Sequence, residues 1–303
     1  MRKVFLRSGF LILSYGLTLL SGCINDDGGS VDTIAPVIDL HHPEPGSYQE
    51  AGGFIHFEST FKDDLELASY SIDIHDNLDG HSHGRMAQPA TDPTLLRWSF
   101  KRNYSIPAGL LIFVDQHDDN IEISSNAIAG PYHFIVQAVD MAGNATSYQD
   151  ASTKELEMYI TNSTQAVINI TNLVNDELEL EEGVSFRVEG HITDPTLGVY
   201  AGIHSLDVIL GEGHEEEYQH DHMRLEEEDL IAVYYEGAGL DDFMVNDAIV
   251  LDLVFETINF TLSQQQHDDL TFEGIDHLIL TLKVRDEQGN LTIQNTFVYV
   301  PSD

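Results

Sequence analysis

The sequence predicts an all-β chain, two tandem β-sandwiches behind an export signal. Three observations predict it. A short apolar run near the N-terminus ends on the chain's one cysteine, short alternating segments recur along the remainder, and the two halves of that remainder align with each other.

The export signal comes first. Arg2, Lys3 and Arg7 precede a mostly apolar stretch from Phe10 to Leu20, and Leu20-Ser21-Gly22-Cys23 places small residues before a cysteine. The run is too short to span a bilayer comfortably. Residues 1–22 therefore read as a lipoprotein signal peptide, with Cys23 the lipidated first residue of the mature chain. Residues 23–33 form a polar tether. Asp26 and Asp27, just behind the cysteine, resemble the surface-export signal of Bacteroidota lipoproteins. The expected location is the outer membrane, lipid-anchored, with the body at the cell surface.

Strands follow. Apolar and polar residues alternate at Phe54–Phe61, Ser69–His75, Arg97–Tyr104, Tyr132–Val139 and Glu155–Ile160, with Gly, Pro, Asn and Asp between them. That pattern is the mark of half-buried strands. A second series runs through Val184–Ile192, His204–Leu210, Ile249–Phe260, Leu278–Val284 and Thr292–Val300. The acidic insert Glu215–Gly239 fits neither series, and Arg224–Tyr235 within it is expected to form a short helix.

The two series are copies. Tyr132–Asn144 aligns with Leu278–Asn290, each an alternating strand running into an Asp-x-x-Gly-Asn turn. Gly and Asn tolerate the positive φ that such a turn needs. Ser71-Ile72-Asp73-Ile74 aligns with Ser205-Leu206-Asp207-Val208, and Gln116-His117-Asp118-Asp119 recurs as Gln266-His267-Asp268-Asp269. Two immunoglobulin-like domains, at 34–161 and 165–303, are the economical reading.

Composition narrows the chemistry. A formal net charge of −39, from 13 Lys+Arg against 52 Asp+Glu, repels nucleic acid and anionic headgroups. No nucleic-acid partner is expected, and membrane contact is expected only through the lipid. With Cys23 acylated, no thiol remains for a disulfide, a nucleophile or a Cys–zinc site. Histidine is the unusual residue: there are 15, more than Lys and Arg combined.

Strand parity brings some of them together. Tyr70, Ile72 and Ile74 alternate inward, which turns Asp73 and His75 outward. Tyr132, Phe134, Val136 and Ala138 do the same and turn His133 outward. The two segments correspond to strands C and F of an immunoglobulin domain, which are antiparallel neighbours, so His75 and His133 should share one edge of one face. The hairpin after the first of them carries His81-Ser82-His83, whose i, i+2 spacing lets both imidazoles reach one ion. His75, His81, His83 and His133 are therefore the expected ligands of a divalent transition metal, Zn²⁺, Cu²⁺ or Ni²⁺, because an oxygen-only calcium site has no need of them. Polar hairpins also tolerate histidine with no ligand role, which is the plain alternative.

The second copy offers a looser set. His214, His220 and His222 follow its strand C, and His277 lies one step before its strand F. By the sequence alignment, however, Ile209 and Ile279 replace His75 and His133. His117, in the repeated Gln-His-Asp-Asp, is a further weak candidate. His41, His42 and His56 need no more than surface or packing roles.

The run Ile74-His-Asp-Asn-Leu-Asp-Gly-His-Ser-His83 resembles an uncharacterised family of Bacteroidota immunoglobulin-like lipoproteins. Trp98-Ser99-Phe100, Ile106-Pro107-Ala108-Gly109, Gly130-Pro131-Tyr132-His133 and Asp140–Asn144 are similar to it as well. The resemblance covers residues 32–160, and 165–300 look like a diverged second copy. It implies the fold and the location. The family is a domain of unknown function, so it implies no activity.

No His-Glu-x-x-His, Gly-x-Ser-x-Gly or phosphate-cradling glycine loop occurs, so an enzyme is not expected. The expected function is capture of a transition metal by an anchored lipoprotein, as a buffer or for an outer-membrane transporter. The alternative is a structural or adhesive module without transition-metal chemistry, in which Asp32, Asp140 and Asn144 hold calcium.

Overall fold

A computed structural model describes residues 32–78, 92–117, 121–174, 177–179, 185–212, 230–238, 244–245, 248–254 and 277–299. The chain forms two compact units, Met1–Asp32 and Thr33–Asp303. The expected signal peptide, Cys23 and most of the expected tether lie outside the described residues, and every described strand belongs to the larger unit. Among the described residues no helix is long and apolar enough to cross a membrane.

Among the described residues, eight strands build the first sandwich: β1 (Val37–His42), β2 (Tyr48–Glu50), β3 (Phe57–Lys62), β4 (Leu67–Asp76), β5 (Phe100–Ser105), β6 (Ile112–His117), β7 (Gly130–Asp140) and β8 (Lys154–Thr161). They pair as β1-β3-β6 and β2-β8-β7-β4-β5. The alternation dictates which faces meet. Phe57 and Phe61 on β3, Tyr70, Ile72 and Ile74 on β4, and Tyr132, Phe134 and Val136 on β7 are all buried. Their rings interlock: Tyr70 stacks 4.5 Å from Phe61 and 4.8 Å from Tyr104. Each such side chain contributes about 1.5–3 kcal/mol of burial.

The second sandwich has β9 (Val167–Ile170), β10 (Glu177–Glu179), β11 (Ser185–Thr193), β12 (Ile203–Glu212), β13 (Leu230–Ala238), β14 (Met244–Val245), β15 (Ala248–Val254), β16 (His277–Asp286) and β17 (Leu291–Tyr299). These pair as β14-β15-β11-β9 and β10-β17-β16-β12-β13. The plan repeats down to a detail. In each copy a three-residue strand adds in parallel to the last strand, β2 to β8 and β10 to β17. The all-β tandem expected from the sequence is thus the observed fold.

The repeated turns are superposable in chemistry. Gly143 and Gly289 have φ of 94° and 96°. The Asp140 carboxylate accepts from the backbone N–H of Gly143 (2.6 Å) and Asn144 (2.7 Å) and from Asn144 Nδ2 (2.6 Å). Asp286 accepts from Asn290 N and Nδ2, both at 2.8 Å.

Two expectations need correction. The segment from Leu230 to Tyr235, expected to be helical, is part of β13 and pairs antiparallel with β12. Its run Leu-Ile-Ala-Val-Tyr-Tyr is β-branched and aromatic, and it completes an otherwise open sheet edge. The alignment of β4 with β12 is also shifted by two. Leu67 faces Asp140 and Ile203 faces Asp286, so the counterpart of Ser71 is Asp207 rather than Ser205. A slip of two keeps every side chain on its own face, so alternation does not distinguish the two registers.

The sandwiches are stitched together. Asn290 Oδ1 accepts from Ala129 N (2.8 Å) and Asn162 Nδ2 (2.8 Å), and Leu291 N donates to Ala129 O (3.0 Å). Gln288 Nε2 donates to Asp92 (2.9 Å), and Arg285 donates to the Leu78 carbonyl (2.8 Å).

Candidate metal centre

The outer face of the five-stranded sheet of the first sandwich carries the predicted pair. His75 on β4 lies directly opposite His133 on β7, and the rings stack with centroids 5.4 Å apart. Carboxylates hold both from the same side of the imidazole. His75 Nδ1 is 3.2 Å from Asp73 Oδ1, and His133 Nδ1 is 2.5 Å from Glu155 Oε1. Asp73 in turn pairs with Lys101. Burial lowers the His133 pKa, against the opposing pull of Glu155. A carboxylate behind the imidazole is the arrangement that orients metal-binding histidines.

The remaining expected ligands are placed less fully. His81, His83, His214, His220 and His222 lie outside the described residues. His117 ends β6 with its backbone opposite Phe57, and His277 opens β16 opposite Tyr299. In the second copy the counterparts of His75 and His133 are Gly211 and Ile279, which face each other as the histidines do. The first of these corrects the Ile209 of the sequence alignment, a consequence of the two-residue shift.

A second cluster sits on the outer face of the three-stranded sheet, where the sequence called for no more than surface or packing roles at its histidines. His42, His56 and Glu58 each present a ligand atom, all within 4.8 Å of one another. The His42 and His56 rings are 4.8 Å apart, and His56 Nε2 is 3.8 Å from Glu58 Oε2. Gln116 Nε2 donates to the same carboxylate oxygen at 3.0 Å.

Local geometry explains the convergence. Ile55 and Phe57 are fully buried, so His56 and Glu58 between and beyond them point outward together. His42 joins them through a β-bulge. Leu40 pairs with Ser59 but His42 pairs with Glu58, so two residues of β1 oppose one of β3. Without the extra residue His42 would fall on the inward face with Ile38 and Leu40. Bulges re-aim side chains in this way. The His56-x-Glu58 spacing was legible in the sequence, whereas the bulge was not.

The calcium alternative meets different geometry. Asn144 Nδ2 donates to Asp140, which ties the Asn144 side chain into the turn. Burial raises the Asp140 pKa, but the hydrogen bonds from Asn144 and Gly143 outweigh it and hold the carboxyl below its usual range. Asp63, not foreseen, brings a carboxylate oxygen within 4.8 Å of the one offered by Asp140. Asp63 Oδ1 meanwhile accepts from Leu65 N and Glu66 N.

Residues 21–154 match the family model described as a domain of unknown function (DUF4625). No curated protein matches the chain. Among solved structures, the fibronectin(III)-like modules of Clostridium thermocellum CbhA are similar at 10% identity and a TM-score of 0.24, covering 87% of this chain and 94% of that one. The titin domains z1z2 in complex with telethonin are similar at 14% identity and a TM-score of 0.19, covering 90% and 99%.

Proposed function

We propose that the protein is a lipid-anchored, surface-exposed lipoprotein that binds a divalent transition metal on its first sandwich. The observation that carries this reading is the bulge-built cluster of His42, His56 and Glu58. Two imidazoles and a carboxylate suit Zn²⁺, Cu²⁺ or Ni²⁺ and are wasteful for calcium. The stacked His75–His133 pair, each ring backed by a carboxylate, is a second point of attachment for the same class of ion. The lipobox at Leu20–Cys23 supports the anchor. The role proposed is capture, as a buffer or for an outer-membrane transporter.

Calorimetric titration of the mature chain, carrying Cys23→Ser, with each of the three ions at pH 7.5 tests the proposal. At least one ion should bind with Kd below about 100 μM, that is, more favourably than about −5.5 kcal/mol. His42→Ala with His56→Ala should remove the tighter phase, and His75→Ala with His133→Ala a separate one. Because a proton competes with the metal for each imidazole, affinity should fall as the pH is lowered. Absence of binding by all three ions would sink the metal reading. Calcium binding alone, lost in Asp63→Ala, would favour the structural module, for which the Asp63–Asp140 approach is the supporting observation.

A further inference from the structure

The cluster of His42, His56 and Glu58 brings three ligand atoms together, and no fourth His, Cys, Asp or Glu joins it among the described residues. A closed zinc site takes four. The ladder sets what lies beside the cluster on the same face. His42 lies opposite Glu58, and Glu58 opposite Gln116. In the next outward row Asp39 lies opposite Thr60, and Thr60 opposite Val114. A third row holds Val37, Lys62 and Ile112.

This face differs from the rest of the surface in two respects. Val37, Ile112 and Val114 are 60%, 59% and 58% exposed, so aliphatic side chains line both edge strands. Its charged residues on the three strands are Asp39, Glu58 and Lys62, because Asp115 turns inward to the Tyr70 hydroxyl. A bound divalent ion offsets that small negative balance, whereas the whole chain carries −39. Two copies can meet here without the repulsion that governs the remaining surface.

We propose that a second copy of the chain completes the metal site. Each ion is held by His42, His56 and Glu58 of one copy and by Asp39 of the other, with the outer faces of β1-β3-β6 packed together. The proposal rests on the metal reading above and adds a partner to it. Asp39 fits the role by position: its side chain is 55% exposed, and its row is about 7 Å from that of the cluster. A twofold axis running across the strands between those rows sets Asp39 of each copy over the cluster of the other. That is a closed, isologous contact. It also lays β6 on β6 and covers Val114. Stacked sheets lie about 10 Å apart, a gap that an ion with a side chain reaching from each side fills. Three strands of six residues present only about 300 Å² a side, against about 800 Å² per partner in a stable interface. Apolar contact alone is too small to hold the copies, so the ion switches the association.

The test is sedimentation velocity on the mature chain carrying Cys23→Ser, at about 100 μM and pH 7.5. Zn²⁺, Cu²⁺ and Ni²⁺ are each added to two equivalents, with EDTA as the reference. The chain should be a monomer in EDTA and double in mass with at least one ion. His42→Ala with His56→Ala should stay monomeric, and His75→Ala with His133→Ala should still dimerise. Asp39→Ala should lose the dimer yet bind the ion in calorimetry on dilute protein. Val114→Asp should weaken association about tenfold, the scale of one buried valine. If an ion binds and the mass stays that of a monomer, with water as the fourth ligand, the dimer is wrong and the metal reading stands. If no ion binds, both fall. Dimers that persist in EDTA, dimers of Asp39→Ala as tight as wild type, or unbounded aggregation in place of a doubling would each overturn the proposal.

Discussion

His42 shares a face with Glu58 because His41 is the extra residue of the β1–β3 ladder. His41 itself lies outward as well, 3.3 Å from Thr60 Oγ1. Deleting His41 would restore plain alternation and turn His42 toward Ile38 and the core. The deletion keeps all three ligands in the sequence, yet it should abolish metal binding at this cluster, as read by titration. His41→Ala keeps the bulge and should bind as wild type. The same scale governs His133, whose burial pushes its pKa down while Glu155 pulls it up. Glu155→Gln removes the opposing carboxylate, so the His133 pKa should fall further, a shift measurable by NMR titration of the imidazole.

At the scale of elements, legibility followed periodicity. Strands β3, β4 and β11 alternate between the core and the outer face along most of their length, and alternation marks them in the sequence. β6 begins Ile-Phe-Val, with Ile112 and Val114 exposed on the outer face, so no polar–apolar alternation announces it. β2, β10 and β14 are two or three residues long and owe their existence to a partner strand. The His75–His133 pairing was legible because it needs only face parity and the neighbourhood of two strands. His42 was not, because a bulge is a property of the ladder and not of either strand alone. Close backbone approach is likewise invisible until the strands are paired. A Cβ on Gly190 of β11 would sit 2.3 Å from the Asn169 carbonyl oxygen of β9. That oxygen is backbone and cannot swing away, so Gly190→Ala should separate β9 from β11. The expected cost is about 1–3 kcal/mol, as for other overpacked sites, measured as a lower midpoint in chemical denaturation.

Over the whole molecule the junction decides whether two sandwiches behave as one body. Gly130 opens β7 with a φ of 141°, and a Cβ there would lie 2.3 Å from Leu78 Cδ2 and 3.3 Å from Leu291 Cβ of the second sandwich. Beside it, Asn290 joins the sandwiches through two accepted hydrogen bonds and is itself held by Asp286. Asp286 is 1% exposed, and its pKa is raised to about 6. Burial is the largest cause, the nearby Asp194 adds to it, and the hydrogen bonds from Asn290 and Gly289 work against it. Asp140, in the same turn of the first copy, shifts the other way, so the turn alone does not raise the value. A carboxyl whose folded pKa lies above its unfolded one contributes stability that is present below the unfolded pKa, near 3.8, and is lost as pH rises through about 6. A shift of this size corresponds to about 3 kcal/mol between those limits. The other carboxylates of so acidic a chain also titrate in this window, so the prediction is a difference between two proteins. Asp286→Asn mimics the protonated carboxyl and keeps an acceptor for the Asn290 amide. Relative to wild type it should gain stability as pH rises from 4 to 7, and the gap between the two melting temperatures should widen over that range and level off above about pH 7. A constant gap would mean that Asp286 stays ionised in the folded chain at pH 5, and that the junction carries a buried charge at every pH where it is closed.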